Sequence, residues 1–232
     1  MNRPAPSCCD PVAIGYALAR PMFDPDVALG ATDPRVLHHA TLPAETAAMA
    51  RMVPARRHAF AAGRAAARLG MAQLGLAPKP IPMSADRAPV WPDGVVGSLS
   101  HSRTCCLAAV AHSRDVRSLG LDVEEDAALP ADLLDTVCTP RDLEWIDRQT
   151  GIARGRLAKL IFSAKECAYK CQYPLSRTLF GFDALDLAPD LDSGRFRATY
   201  TRNVAPFAAG DVLTGSFAID TGLIVTAMTL RH

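Results

Sequence analysis

Apolar positions along this chain follow two periods, and the alternation between them predicts its elements. From about Arg156 to Tyr173, the residues Leu157, Leu160, Ile161, Ala164 and Ala168 recur at spacings of three and four, the stripe of a helix packed on a core. Pro54 opens a second long helix, Ala55 to about Leu74, which Gly75 and Pro78 end. Shorter helices are predicted over residues 43–51, 130–137 and 140–150. Strands are predicted at 11–20, 95–102, 105–111 and 119–124, and again near 182–188, 195–201, 212–219 and 222–230. Breaker residues mark a Pro/Asp-rich connection to about Pro34, a loop over 79–92, a turn at Asp93-Gly94, a turn at Arg114–Arg117 and a loop after Pro174. Strand, helices and strands occur in that order twice. The fold class is therefore α+β, in two similar halves, 1–113 and 114–232.

Composition narrows the class of protein. The 232 residues suffice to bury a real core. Apolar residues make up 49%, and 25 basic side chains balance 24 acidic ones, which argues against disorder and against a general nucleic-acid-binding surface. Seven cysteines, with adjacent pairs at Cys8-Cys9 and Cys105-Cys106, form neither a disulfide framework nor a zinc pattern. Met1 to Arg20 lacks the apolar core of a signal peptide, and no apolar run approaches the ~20 residues of a membrane span. A reducing cytoplasm is the expected compartment.

The candidate chemistry sits in three places. On the central helix, Glu166 and Lys170 are four apart and share a face, with Lys165 just before them. On the strand Leu119-Gly120-Leu121-Asp122-Val123-Glu124, period two leaves Asp122 and Glu124 on one side. Asp122, Glu124 and Glu166 are hard oxygen donors of the kind Mg²⁺ prefers, and His101 and the arginines of the long helix suit a phosphate beside it. Arg57, Arg64 and Arg68 fall on one helical face with Arg56 next to them. Each piece has a plainer reading: an exposed i,i+4 pair, an ordinary strand, a solvated arginine stripe. Cys167 is a further candidate, as the nucleophile of an acyltransferase with His101 and Asp122; its plainer reading is a buried helix residue.

Taken in order, Gly97-Ser98-Leu99-Ser100-His101-Ser102, then Leu119 to Glu124, then Phe162-Ser163-Ala164-Lys165-Glu166 with Lys170 resemble the three signatures of the 4′-phosphopantetheinyl transferases. Arg56-Arg57-His58-Ala59-Phe60-Ala61-Ala62-Gly63-Arg64 and Arg87-Ala88-Pro89-Val90-Trp91-Pro92 resemble the subgroup typified by enterobactin synthase component D. The resemblance covers about residues 50–185. It implies a pseudo-dimeric α+β fold with coenzyme A between two subdomains, the first carrying the 3′-phosphate side and the His101 motif, the second the metal-binding acids and the Lys-Glu helix. It implies transfer of the phosphopantetheine arm to a serine of an apo acyl or peptidyl carrier protein, releasing adenosine 3′,5′-bisphosphate. By position, Asp122, Glu124 and Glu166 would hold Mg²⁺; Glu166, Lys170 and His101 would serve the chemistry. Arg56 or Arg57, Arg64, Arg87, Ser100, His101, Lys165 and Lys170 would contact coenzyme A. Glu166, or a water held by the metal, would take the serine proton. A monomer is expected, and a siderophore, antibiotic or other secondary-metabolite pathway. A coenzyme A-binding module without transfer is the other alternative.

Overall fold

The computed structural model describes residues 10–232; the Cys8-Cys9 pair lies outside them. In the first half, helix α1 (Pro11–Ala19) is followed by strand β1 (Ala28–Thr32), helices α2 (Pro43–Met49) and α3 (Pro54–Gln73), and strands β2 (Val95–His101) and β3 (Cys106–His112). The second half runs β4 (Ser118–Glu125), α4 (Leu134–Val137), α5 (Pro140–Asp147), α6 (Arg154–Ser176), β5 (Leu185–Asp190), β6 (Arg195–Tyr200), β7 (Val212–Asp220) and β8 (Leu223–Leu230). Strands pair antiparallel throughout, in a three-stranded sheet ordered β1-β3-β2 and a five-stranded sheet ordered β4-β8-β7-β6-β5. The α+β class and two sheet-plus-helix halves accord with a pseudo-dimeric fold. Among the described residues no helix is long and apolar enough to cross a membrane.

Each half buries its own apolar stripe. Ala66, Ala67 and Met71 of α3 pack on Ala108 and Val110 of β3. The α6 residues foreseen from periodicity, Leu157, Leu160, Ile161, Ala164 and Ala168, join Cys167 and Cys171 against β5 to β8. A third cluster mixes the two halves, with Leu29, Leu107 and Ala109 from one sheet and Leu119, Leu121, Val123, Val225 and Ala227 from the other. Gly30 lets α3 lie directly on β1: a Cβ there would come within 1.9 Å of the Ala66 carbonyl oxygen.

Three expectations change. Residues 11–20 form a helix, not a strand, because Asp10 caps it: its carboxylate accepts from the Val12 N–H at 3.0 Å, and Pro11 takes the first helical position, where no N–H is needed. The connection to Pro34 contains β1, whose partner β3 is more than 70 residues away and leaves no local signal. The central helix continues through Pro174 to Ser176, since a proline near a helix end forfeits little, and the Arg177 N–H closes it on the Tyr173 carbonyl at 2.9 Å.

Candidate active site

Between the halves lies a cleft of about 710 Å³. Its first wall carries Arg56 and Arg64 from α3, Arg87 from the 79–92 loop, and Ser100 and His101 from the end of β2. Its second wall carries Asp122 and Glu124 from β4, Glu166, Tyr169, Lys170 and Tyr173 from α6, and Arg177 just after it. Within the second wall α6 lies directly on β4 because of Gly120, where a Cβ would stand 2.3 Å from the Cys167 carbonyl oxygen of α6.

Asp122 is the joint. It is 2% exposed, and its Oδ1 accepts from Ser100 Oγ at 2.7 Å and from Lys170 Nζ at 2.7 Å. Its Oδ2 accepts from Ser163 Oγ at 2.8 Å. Lys170 also donates to Ser100 Oγ at 3.0 Å. Desolvation pulls the Lys170 pKa down, but the Asp122 and Glu166 carboxylates more than offset it, and the net shift is upward. Glu124 pairs with Lys159 at 2.6 Å. Desolvation first, then the Asp122 charge, raises the Glu124 pKa against the pull of Lys159. Glu166 is raised by desolvation; Lys170 opposes this, and Asp122 and Glu124 add to it. Three carboxylates thus face two ammonium groups.

His101 opens onto the cleft, yet the surrounding walls desolvate it. That effect, then Lys170 and, more weakly, Arg56, push its pKa below the usual 6.5. Arg64 is 7% exposed; its Nε donates to the Ile81 carbonyl at 3.0 Å, and its guanidinium lies 3.8 Å over the Phe60 ring. Burial drops its pKa to about 10, leaving a charged group poised on the cleft wall.

Two candidate contacts lie elsewhere. Lys165 is 2% exposed and points away from the cleft: its Nζ donates to the Val137 and Phe182 carbonyls, both at 2.8 Å, and pairs with Asp142 at 2.5 Å. One residue along a helix is a rotation of about 100°, so Lys165 and Glu166 cannot share a face. Arg57 folds back on the preceding turn, donating to the Met52 carbonyl at 2.8 Å. The choice left open between Arg56 and Arg57 therefore falls, in placement, on Arg56. Arg68 is taken by Glu45 at 2.7 Å. Cys167 is fully buried, with its thiol pKa raised well above 9.0 by desolvation, which removes it as a nucleophile. The basic residues of the first turns of α6 are paired: Arg154 with Asp147, Arg156 with Asp126 and Lys159 with Glu124.

Sequence reasoning missed Tyr169, Tyr173 and Arg177 as cleft residues. The signal was present for the tyrosines, because Glu166, Tyr169, Lys170 and Tyr173 are linked by three- and four-residue steps along one side of α6, and Arg177 comes just after its end.

Among the described residues no three His, Cys, Asp or Glu side chains are already grouped as a metal site. The donor chemistry of Asp122, Glu124 and Glu166, all hard oxygens, two of them with pKa values raised by desolvation first and by neighbouring carboxylates after it, still suits Mg²⁺.

Fold and cleft together define an α+β protein with basic side chains and three carboxylates lining one cleft between two halves. The 4′-phosphopantetheinyl transferase N-terminal domain model matches residues 44–111, and that of the 4′-phosphopantetheinyl transferase superfamily matches residues 118–220. The 4′-phosphopantetheinyl transferase Svp of Streptomyces mobaraensis is 40% identical over 195 residues, 81% of this chain and 78% of that protein. The 4′-phosphopantetheinyl transferase PptT of Mycobacterium tuberculosis is 34% identical over 195 residues, 82% of this chain and 86% of that protein. Enterobactin synthase component D of Escherichia coli (strain K12) is 36% identical over 118 residues, 50% of this chain and 54% of that one. The chain belongs to the 4′-phosphopantetheinyl transferase superfamily, enzymes that carry the phosphopantetheine arm of coenzyme A to carrier proteins.

Proposed function

We propose that this enzyme binds coenzyme A across the cleft with Mg²⁺, transfers its 4′-phosphopantetheine to a serine of an apo acyl or peptidyl carrier protein, and releases adenosine 3′,5′-bisphosphate. The observation that carries this reading is the convergence of Asp122, Glu124 and Glu166 with Lys170, His101, Arg56 and Arg64 on one cleft. Asp122, Glu124 and Glu166 would hold the ion, which when bound neutralises charge on the pyrophosphate oxygens. Transfer of this type depends on alignment and charge neutralisation more than on covalent help, and the chain's residues supply both. Arg56 and Arg64 anchor the 3′-phosphate. Lys170, held at 2.7 Å from Asp122, turns toward the pyrophosphate together with His101. Ser100 and Ser163 keep the Asp122 carboxylate aimed while Lys170 moves. Glu166, a carboxylate on the cleft wall, takes the serine proton. The attacking hydroxyl belongs to the carrier, so the chain needs no nucleophile of its own.

A monomer acting in the cytoplasm is part of the same reading; the free, buried cysteines 105, 106, 138, 167 and 171 suit a reducing compartment. The names of the relatives favour a siderophore or other secondary-metabolite carrier as acceptor. The test is incubation with coenzyme A, Mg²⁺ and a panel of apo carriers, read by intact mass. A carrier heavier by one phosphopantetheine, lost in EDTA and in Asp122→Ala or Glu124→Ala, supports it. Full transfer in chelator would remove the metal from the mechanism.

A further inference from the structure

A hydrogen bond crosses the cleft from one half to the other: the Tyr173 hydroxyl of α6 donates to Asp86 Oδ2. Asp86 sits at the tip of a small hairpin, residues 82–90. The Val90 N–H donates to the Pro82 carbonyl at 2.9 Å, the Ser84 N–H to the Ala88 carbonyl at 2.9 Å, and the Arg87 N–H to the Ser84 carbonyl at 3.0 Å. The other Asp86 oxygen holds this turn together, accepting from Ser84 Oγ and from the Ala88 N–H at 3.1 Å. Tyr173 is fixed in turn by stacking on Tyr169, with ring centroids 5.6 Å apart.

Backbone strain gathers at the same place. Among the described residues three non-glycines adopt a left-handed backbone, and two of them are arginines flanking this bond, Arg87 (φ 70°) and Arg177 (φ 52°). Arg87 follows Asp86 directly, and the Arg177 guanidinium lies 6.0 Å over the Tyr173 ring. Both line the cleft. Glycine or asparagine would hold either backbone at lower cost. Strain of this kind persists where surrounding contacts enforce it, and it collects at ligand clamps.

We propose that Asp86 and Tyr173 are positioning residues that fasten the hairpin to α6, so that Arg87 and Arg177 close from opposite walls as a clamp on a phosphate of the bound nucleotide. The proposal rests on the reading of the cleft as the coenzyme A site. A guanidinium on each wall gives a phosphate charge-assisted bonds from two sides, and only when the halves are held in register do both reach it. An acidic carrier surface is the other anion two arginines suit. The cleft location, beside Arg56 and Arg64, favours the small ligand.

The test is the affinity for coenzyme A by calorimetry, with KM for coenzyme A and for a carrier measured in parallel. Arg87→Ala and Arg177→Ala are each expected to weaken coenzyme A about tenfold or more, as the loss of a charge-assisted bond. Tyr173→Phe keeps the stacked ring and removes only the hydroxyl; it and Asp86→Asn, on an exposed turn, are expected to weaken coenzyme A about three- to tenfold. In a protein already carrying Arg87→Ala and Arg177→Ala, adding Tyr173→Phe is expected to change affinity by less than about twofold, because the residue acts through them. A Tyr173→Phe loss that persists undiminished in that background, unaltered affinity in both Tyr173→Phe and Asp86→Asn, or losses confined to the carrier KM would each overturn the clamp. Failure of the unmodified protein to bind coenzyme A would sink the proposed function first, and the clamp with it.

Discussion

Replacing Lys165 by methionine separates a ligand contact from a structural one. Lys165 and Asp142 are 1% and 0% exposed. Besides that lysine, Asp142 accepts from the Thr139 N–H at 2.8 Å and the Leu187 N–H at 2.7 Å. Lys165→Met conserves volume but leaves a buried carboxylate without its cation and takes the donor from two carbonyls. Breaking one side of a buried pair costs about 3–5 kcal/mol. For a chain of this size that lowers Tm by roughly 6–20 °C, a large share of a typical stability of about 5–15 kcal/mol. Urea unfolding of the two proteins gives the difference directly. The fraction still folded at 20 °C is expected to keep the coenzyme A KM of the unmodified enzyme, since Lys165 faces away from the cleft. A Lys165→Met protein with an unmoved urea midpoint and a coenzyme A KM raised tenfold would refute this, because it would mean that the lysine reaches the ligand.

Three further outcomes follow from the same geometry. Arg56→Ala is expected to raise the KM for coenzyme A about ten- to hundredfold and to reduce the preference over dephospho-coenzyme A, while Arg57→Ala leaves that preference intact; equal behaviour of the two variants would break the assignment. The His101 pKa is lowered in the free protein, so its ring is neutral above pH 6.5, and a bound phosphate favours the protonated form. Coenzyme A binding then takes up a proton and strengthens as pH falls from 7.5 toward 6, measurable by calorimetry in two buffers of different ionisation enthalpy, and His101→Gln flattens the profile. In the free protein the sign is opposite: with the folded pKa depressed, the contribution to stability is present above about pH 6.5 and declines as pH falls through that value, where the unfolded chain takes the proton first. Gly120→Ala would set a Cβ 2.3 Å from the Cys167 carbonyl oxygen and is expected to cost about 1–3 kcal/mol in urea unfolding; an unchanged midpoint would show that α6 can shift freely on β4.

What the sequence made legible was local. The α6 stripe, the Asp122/Glu124 alternation and the Pro54 helix start each depend on residues within a turn or two, and each stands where periodicity put it. Residues 11–20 went the other way because nearly every position is apolar, so period could not decide; the deciding signal was the Asp10-Pro11 pair ahead of them. Helical angle alone grouped Arg57, Arg64 and Arg68, but which arginine meets the cleft depends on what the others find first. Glu45, wholly buried, claims Arg68 and also accepts from the Ile81 N–H at 2.9 Å, and the Met52 carbonyl claims Arg57. Those partners are set by tertiary contact. Asp86 and Tyr173 are 87 residues apart, beyond any local pattern.

Asp122 explains why the two halves cannot be treated as independent modules. Its carboxylate is reached by Ser100 from β2 of the first half and by Ser163 and Lys170 from α6 of the second. The neighbouring β2 hydroxyl, Ser98 Oγ, accepts from the Leu121 N–H at 3.0 Å, so β2 meets β4 through side chains where the sheets share no backbone ladder. A carboxylate buried to this degree is tolerable only while all its donors are in place. Rotation of one half relative to the other would strip Ser100 from it and leave Lys170 as the main source of compensation. The cleft's most buried acid therefore ties the register of the halves to the charge state of the site. A movement at that joint that kept Ser100, Asp122 and Ser163 together would leave Lys170, a quarter exposed, as the partner of Asp122 best placed to exchange.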